Sequence, residues 1–511
     1  MNSALGVAKG ANVAKHTRTR TTEQLKRLEK NRQTLEEALA GARGKADEYT
    51  QTSGLTLVLE RFATERGSCT PVPYDGYTGL ERILAELAKT YEGGQVVVDG
   101  HLVGLRGILA IEGRDEPVEI CASVGIGAQL SLSVGPAASI TTLLDALAIF
   151  DRQFHLACVA LGHDVDLVAQ GYNPYVDSPS DIVAVPLSRY ALLNAYLSRT
   201  GRYTRDALRC TAATRILLPI ASSEELAVTG YRVAAAIAPL LAFLTDNTLR
   251  MRGEEPVEAK RMIRTLVWDQ VDSSRCGLAE GTFLKGFDFR AYERWLEGIR
   301  PIVFTSDDGL TFSTGSDTMG RLMEERDLSP AEALRTASMA FPHARWTGQL
   351  ELACADALPP RLACGYAAFA KGLFASPDSI EAASKLLDLA SIDEDSVAAA
   401  WHDLRELGWG ARPYGRPIGQ LADELANIAA AQLEDRRERQ LLDGLAQLWT
   451  VHMVPRDSLL HNWSKQRTPT REERAIELYG EGAVIPYDEL GGEPPAGKTS
   501  VMRVIRQEPV Q

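Results

Sequence analysis

A glutamine after a glycine-rich turn begins the most regular strand pattern in this sequence. Within residues 120–136 the chain alternates strictly from Gln129 onward, with apolar side chains on one face and Gln129 and Ser131 on the other, which is the period of a half-buried strand. Gly125 and Gly127 precede the strand, and glycines there favour a bend or a close approach of the backbone to a ligand. The pattern therefore predicts either an ordinary strand after a turn or a strand whose polar face lines a cleft, with Gln129 pointing into it.

A second segment carries two arginines with anion-binding chemistry. Residues 264–277 contain Arg264, Trp268 and Arg275, and Arg275 lies in the polar loop sequence DSSRCG, where we expect no core for it to contact. Arginine binds carboxylates and phosphates through two parallel hydrogen bonds, so Arg275 is a candidate for binding an anionic substrate. The structural alternative places Trp268 in the core and pairs Asp272 with Arg275 in a loop ion pair.

A single acid ends the first strong strand pattern of the chain. Residues 52–62 are β-branched and apolar up to Glu60, which predicts a strand. A lone acid at the end of a strand is more often a surface residue than part of a site, so the residue pattern alone assigns no function to Glu60.

Residues 264–277 resemble a motif of the glutamate–cysteine ligases of the plant and bacterial type, a family that also includes the ligase of the ergothioneine pathway. The motif reads R-x-x-x-W-x-x-x-D-x-x-R-x-G, and this chain fits all five of its fixed positions at the same spacing. Four other segments resemble further motifs of the family, and their matching residues are Gly127, Gln129, Leu132 and Ser133; Arg189 and Tyr190; Arg209, Thr211 and Ala212; and Phe341, Pro342, Arg345, Gly348, Glu351, Asp356, Pro359 and Pro360. The resemblance covers roughly residues 52–450, most of the chain.

The resemblance implies an ATP-dependent ligase that joins L-glutamate to L-cysteine through an acyl phosphate, giving γ-glutamylcysteine for a thiol pathway such as glutathione biosynthesis. Phosphoryl transfer needs divalent cations and arginines to stabilise the developing charge, and Mg²⁺ prefers carboxylate oxygens. The resemblance also implies the site residues. They are Glu60, Glu351 and Arg275 as catalytic residues, Glu60, Gln129 and Glu351 as metal ligands, and Gln129, Arg189, Tyr190, Arg209, Arg264, Trp268 and Arg345 as residues that bind substrate or ATP.

Several acidic positions of the family motifs have lost their carboxylates in this chain. Glu60 and Glu351 keep theirs, whereas Val58, Gly125 and Ser131 stand where the motifs have glutamate. These losses remove negative charge that would hold two or three Mg²⁺ ions.

Two departures also change the arginine pattern. Arg215 stands where the motif has glutamine, and Ala353 stands where it has arginine. Together with the lost acids, they leave two alternatives to the glutamate–cysteine ligase: a related ligase that acts on another amine, and a catalytically impaired homologue that acts as a binding or partner subunit.

Composition restricts the partners of this 511-residue chain. Its formal net charge of −13 argues against nucleic acids and anionic membranes, which attract basic surfaces. The longest apolar run, residues 233–244, contains Pro239 and is too short to cross a bilayer. Seven scattered cysteines without a C-x-x-C spacing indicate reduced thiols. We expect a cytoplasmic protein that binds small molecules, glutamate and cysteine or another amine, with an oligomeric state that the sequence does not fix.

The remaining patterns predict the elements that position these residues. Besides the strands at 52–62 and from Gln129, we expect a hairpin over 95–109 that turns at Asp99-Gly100. Helices are expected over 22–43, 79–91, 143–161 and 225–245, and almost throughout from Cys364 to about Tyr479.

These elements and the resemblance together predict an α+β protein. Its core would be a glutamine-synthetase-like bowl of antiparallel strands surrounded by helices, with a helical C-terminal part. The predicted domains are an N-terminal arm and helix over 1–50, a ligase-like catalytic domain over 51–450, and a C-terminal helix and extended tail over 451–511.

Overall fold

A computed structural model describes residues 20–41, 54–91, 93–114, 116–220, 223–256, 260–374 and 376–464. The predicted N-terminal arm and the extended part of the C-terminal tail lie outside these residues.

A large antiparallel sheet organises the described residues. The strands are β1 (Leu55–Glu65), β2 (Gln95–Val98), β3 (His101–Leu109), β4 (Val118–Val124), β5 (Gln129–Ala137), β6 (Val165–Val168), β7 (Ala213–Leu218), β8 (Cys276–Gly277), β9 (Val303–Thr305), β10 (Thr311–Ser313), β11 (Phe341–Pro342), β12 (Ala344–Trp346) and β13 (Leu350–Asp356). Nine strands form the sheet in the order β12-β13-β7-β1-β5-β4-β3-β2, with β6 pairing with β1 next to β7. Strands β9 and β10 form a separate hairpin, and β8 and β11 form a short parallel pair.

The central strands have one apolar and one polar face. In β5, Leu130, Leu132 and Val134 are fully buried, whereas Ser131 and Ser133 are partly exposed. The apolar side chains belong to the main hydrophobic core, and burying them favours the folded sheet. The strand predicted from Gln129 onward is therefore confirmed, with its polar face left free to line a site.

Helices cover the apolar face of the sheet, border the pocket on its polar face and form the C-terminal part. They are α1 (Thr22–Gly41), α2 (Leu80–Leu87), α3 (Ile140–Ala160), α4 (Ser188–Leu197), α5 (Thr204–Cys210), α6 (Glu224–Leu244), α7 (Ile263–Asp269), α8 (Phe289–Gly298), α9 (Met319–Glu325), α10 (Pro330–Ala337), α11 (Pro360–Leu373), α12 (Pro377–Leu387), α13 (Glu394–Leu407), α14 (Ile418–Gln432), α15 (Arg436–Thr450) and α16 (Pro455–Ser464). Of these, α3, α6 and α11 contact β5, β13 and β1 respectively.

Helix α6 is the central helix of the core. It is 21 residues long and, by length and composition alone, apolar enough to cross a membrane, but 83% of its most apolar window is buried inside the protein. That degree of burial is typical of a core helix that is apolar all round.

The predicted elements are confirmed within the described residues, with ends that differ by a few positions. The hairpin turns at Asp99 and Gly100, whose φ angles of 53° and 83° are those that a tight two-residue turn requires. The α+β class is confirmed as well. The expectation that the chain is almost wholly helical beyond Cys364 holds up to Ser464, where the described residues end.

Candidate active site

A pocket of about 260 Å³ opens on the polar face of the sheet. Its floor comes from β1, β5 and β7, and its walls come from α5, α7 and residues 341–345. Five of the residues predicted for the site line it: Glu60, Gln129, Arg264, Trp268 and Arg345. The structure therefore brings together motif residues that lie far apart in the sequence.

The sheet register places two acids and two arginines side by side. Arg215 on β7 lies opposite Val58 on β1, two residues from Glu60, and Arg345 on β12 lies opposite Glu351 on β13. Because directly opposed residues point to the same face of a sheet, these charged side chains share the polar face. Glu351 is not among the residues that line the pocket, and its side chain is only 6% exposed.

Arg215 links both acids. Its Nη2 lies 3.3 Å from Oε1 of Glu60, and its Nη1 lies 3.3 Å from Oε1 of Glu351. Arg345 approaches the same oxygen of Glu351 at 3.4 Å, and the other oxygen of Glu60 accepts a 3.0 Å hydrogen bond from the amide of Ala213. The two guanidiniums and the two carboxylates thus form one continuous ion-pair network with no net charge.

The network shifts the pKa values of Glu351 and Arg215. Burial alone raises the pKa of the Glu351 carboxyl, but Arg345 and Arg215 outweigh it and hold that pKa below its usual value. Burial alone lowers the pKa of Arg215, but Glu60 and Glu351 outweigh it and raise that pKa. Each group is therefore held in its charged form by its partners.

The predicted bend before β5 is a tight turn that hydrogen bonds of the Gln129 side chain hold in place. The amide of Gly125 donates to the carbonyl of Gln129 at 2.8 Å, and Ala128 adopts a left-handed φ of 63°. Oε1 of Gln129 accepts from the amide of Gly127 at 2.9 Å, and its Nε2 donates to the carbonyls of Leu208 and Thr211, each at 3.1 Å. Gln129 borders the pocket, but its side chain is committed to the backbone.

Helix α7 carries two of the predicted residues on one face. Arg264 and Trp268 are four residues apart, a spacing that places side chains on the same side of a helix. Arg264 pairs with Asp356 at 3.0 Å and donates from Nη2 to the carbonyls of Ala353 and Cys354. Trp268 donates from Nε1 to the hydroxyl of Thr211 at 3.0 Å. Only Nη1 of Arg264 has no partner among the described residues.

A histidine that the sequence did not indicate also lines the pocket. Nε2 of His343 lies 3.1 Å from Oδ1 of Asp269, the last residue of α7, and the other carboxylate oxygen binds Arg405. Because an ionised carboxylate only accepts hydrogen bonds, Nε2 carries the proton, and in the neutral imidazole Nδ1 is then the acceptor. Although burial raises the pKa of Asp269, His343 and Arg405 outweigh it and lower that pKa.

Arg275 lies outside the pocket, and the premise that it contacts no core is wrong. Its side chain is fully buried, pairs with Asp272 at 2.8 Å, and donates to the carbonyls of Arg300 and Met339 at 2.7 and 3.0 Å. These bonds use the guanidinium to satisfy loop carbonyls that would otherwise be buried without partners. Its predicted role in ligand binding is not tested by this geometry and stays a prediction.

Three other predicted residues lie near the pocket without lining it. Tyr190 donates to the carbonyl of Val124 at 2.9 Å, and burial, with a smaller contribution from nearby Glu60, raises its pKa. Arg209 donates to the carbonyl of Ile182 at 2.8 Å. Arg189 is half-buried without a hydrogen bond or ion pair among the described residues, and burial lowers its pKa.

The residues present do not fit the Mg²⁺ that the family resemblance implies. Within the described ranges, no group of three or more His, Cys, Asp and Glu side chains is placed to hold a metal ion. Of the three predicted ligands, Glu60 and Glu351 are paired with Arg215, and both polar ends of Gln129 bind backbone groups. Mg²⁺ needs a near-octahedral set of oxygen ligands, and this pocket does not offer one.

Comparison with known proteins places these motifs in a family. The model of the glutamate–cysteine ligase family 2 matches residues 60–432. The chain is 22% identical to glutamate–cysteine ligase B, chloroplastic, of Oryza sativa subsp. japonica over 64% of its own length and 63% of that relative. It is also 22% identical to the chloroplastic glutamate–cysteine ligase of Arabidopsis thaliana over 81% of this chain and 78% of that relative. The match with the rice protein therefore spans less than two thirds of that relative.

Proposed function

The chain belongs to the glutamate–cysteine ligase family 2, and from this membership we propose that it is an ATP-dependent ligase that joins L-glutamate to the amine of L-cysteine or of a related compound. The observation that carries the proposal is that the matched residues, 60–432, include every residue that lines the pocket. ATP would supply the phosphoryl group that activates the carboxylate as an acyl phosphate.

Arginines of the pocket would bind the anionic groups of the substrates. Nη1 of Arg264 is free to donate, and Arg345 contacts Glu351 only at 3.4 Å, with its Nε bound to a backbone carbonyl at 3.2 Å. Guanidiniums bind carboxylates and phosphates through parallel hydrogen bonds. The two side chains therefore support a carboxylate subsite between α7 and β12.

His343 would accept the proton that the attacking amine must lose. An ammonium group has no lone pair, so amide formation requires a base near the amine. Nδ1 of His343 is an acceptor because Asp269 holds the proton on Nε2. Asp269 thereby acts as a positioning residue that fixes the imidazole tautomer.

The apolar side of the pocket would limit access of water to an activated carboxylate. Trp268 and Phe341 meet edge to face with ring centroids 5.5 Å apart, and Ile126, Ala207 and Leu208 continue this surface. Excluding water matters because an acyl phosphate that meets water before the amine is hydrolysed.

A specific observation favours a second candidate, the catalytically impaired or re-purposed homologue. Arg215 pairs with Glu60 and Glu351, the two acids kept from the family motifs. Such a protein would still bind an amino acid in the pocket but would not transfer a phosphoryl group from ATP to it.

One experiment separates the two candidates. The protein is incubated with ATP, L-glutamate and a panel of amines that includes L-cysteine, with and without Mg²⁺, and ADP and products are measured by chromatography and mass spectrometry. The ligase predicts ADP release that depends on both glutamate and the amine, together with a γ-glutamyl product. Saturable binding of an amino acid by calorimetry without any ADP release would instead support the second candidate.

A cytoplasmic location is also a proposal. It is supported by the seven cysteines, which are all free thiols, as expected for a protein in a reducing compartment. The relatives named above are chloroplastic proteins.

A further inference from the structure

We infer that Arg215 is a built-in cation that occupies the space between Glu60 and Glu351 which the family resemblance assigns to Mg²⁺. The space between these two acids then holds no divalent cation, and removing the guanidinium creates a site for one. The inference concerns this space alone and goes beyond the proposed function, which names no residue of this chain as a metal ligand.

The position of Arg215 in the sheet supports this role. It lies on β7, between β1 with Glu60 and β13 with Glu351. One end of the guanidinium fork faces each acid, with Nη2 3.3 Å from Glu60 and Nη1 3.3 Å from Glu351. The planar fork therefore bridges two carboxylates on different strands, as a metal ion placed between them would.

The two guanidiniums of the network already balance the charge of its two carboxylates, so a metal ion is not needed for that purpose. Glu60 and Glu351 carry two negative charges, and Arg215 and Arg345 supply two positive ones within the same network. A divalent ion placed between the acids would meet the like charge of both guanidiniums, and such repulsion is strong in a partly buried site. Arg215 is only 28% exposed and Glu351 only 6%.

The missing carboxylates act in the same direction as the added guanidinium. Val58 and Gly125 offer no side-chain oxygen, and Ser131 offers a neutral hydroxyl. At Gly125 a side chain would also have to displace the amide group of Gln129, because a Cβ there would lie 2.7 Å from Oε1 of Gln129. Oxygen ligands are thus absent where a metal would need them, and a fixed positive charge is present.

The two acids do not saturate the hydrogen-bonding capacity of Arg215. Its ion-pair distances of 3.3 Å exceed the roughly 2.8 Å of a strong charge-assisted hydrogen bond, and its Nε has no hydrogen-bond partner among the described residues. The side chain therefore compensates the acids without being saturated by them.

The test measures binding of Mn²⁺, used as a probe for Mg²⁺, by electron paramagnetic resonance, which reports free Mn²⁺ and needs no catalytic activity. Arg215→Gln restores the glutamine of the family motif and removes the guanidinium between the two acids, leaving Glu351 in contact with Arg345 alone. We expect this variant to gain one Mn²⁺ site that is at least about tenfold tighter than any binding by the native protein. Adding Glu60→Gln to Arg215→Gln should remove the gained site.

Arg345→Gln is the matched control. It makes the same chemical change at the other guanidinium that contacts Glu351, but it leaves Arg215 between the acids. We expect its Mn²⁺ affinity to stay within about twofold of the native value. A comparable gain of affinity in Arg345→Gln would show that Arg215 holds no special position and would overturn the inference.

Two further results would also overturn it. One is a folded Arg215→Gln protein, verified by its thermal unfolding curve, that gains no Mn²⁺ site. The other is a Mn²⁺ site in the native protein that is lost on Glu60→Gln. If Arg215→Gln does not fold, the native protein and Glu60→Gln decide the matter, since equal Mn²⁺ binding supports the inference and weaker binding by the variant contradicts it.

Discussion

The backbone amide of Phe341 donates a 2.7 Å hydrogen bond to the carbonyl oxygen of Arg275, so a residue outside the pocket holds one of its walls in place. Arg275 is anchored by Asp272 and by two loop carbonyls, and the wall continues from Phe341 to His343. The arginine therefore acts as a positioning residue for groups that do line the pocket.

Arg275→Ala is expected to destabilise the fold by about 3 kcal/mol, because it breaks the ion pair of Asp272 with a fully buried guanidinium and leaves the carbonyls of Arg300 and Met339 without their donor. Arg275→Lys should recover only part of this loss, since an ammonium cannot reproduce the planar fork. Urea unfolding of both variants measures the effect. A change within about 0.5 kcal/mol, typical of an ordinary surface substitution, together with weaker glutamate or ATP binding, would instead make Arg275 a ligand-binding residue.

Gln129→Ala is expected to cost about 2 kcal/mol of unfolding free energy. It leaves the amide of Gly127 and the carbonyls of Leu208 and Thr211 without their hydrogen-bond partners. Ser133→Ala, on the polar face of the same strand, is the control and should change stability by less than about 0.5 kcal/mol. Equal effects of the two substitutions would show that the turn does not depend on the hydrogen bonds of the Gln129 side chain.

Glu351 should make the fold sensitive to acid. Its pKa is lowered below the usual value of 4.5 because Arg345 and Arg215 outweigh the effect of burial. A carboxyl with a lowered folded-state pKa contributes stability that is present above its unfolded-state pKa and is lost as pH falls through the folded-state value. We therefore expect the native protein to lose stability on acidification below about pH 4.5 more steeply than Glu351→Gln does.

Urea unfolding midpoints of the native protein and of Glu351→Gln between pH 3 and pH 7 test this expectation. Glu280→Gln serves as the control, because Glu280 is exposed and its side chain makes no ion pair or hydrogen bond among the described residues. Parallel pH profiles for the native protein and Glu351→Gln would contradict the assigned ion pairs.

His343→Asn is expected to lower the rate of amide formation by about a hundredfold if the imidazole accepts the proton of the amine. Affinity for glutamate should change little, because the carboxylate subsite lies at Arg264 and Arg345. Asp269→Asn should give a smaller loss of rate and a displaced pH profile, as expected for a residue that only positions the imidazole. Rates within about twofold of native for His343→Asn would remove it from the mechanism.

The sequence predicted the elements of the fold and much of the floor of the pocket. Strict alternation after Gln129 indicated a strand with one polar face, since a period of two is specific to strands. The family resemblance assigned Arg264 and Trp268 to the site, and both line the pocket. The alternation of the strand is a local feature, so local periodicity carries that information.

The sequence could not show which polar side chains are free. Gln129 and Arg275 match family motifs, yet their polar atoms bind backbone groups that only the folded loops bring close. Arg215 was visible as a departure from the motif, but its pairing across three strands depends on sheet register. His343 went unnoticed because the motif tolerates any residue there, and its partner Asp269 lies on a helix 74 residues earlier.

The strand order of the sheet also determines when this pocket can form. Glu60 and Arg215 are 155 residues apart in the chain, and Arg215 and Glu351 are a further 136 residues apart. Contacts with such separations pay a large loop-closure entropy and form late in folding. During synthesis, β1 and β7 leave the ribosome long before β13, so the edge of β7 that β13 will cover stays open in the nascent chain. That open edge is a place where aggregation or chaperone binding can begin, and a fragment that ends before β13 cannot complete the charge network.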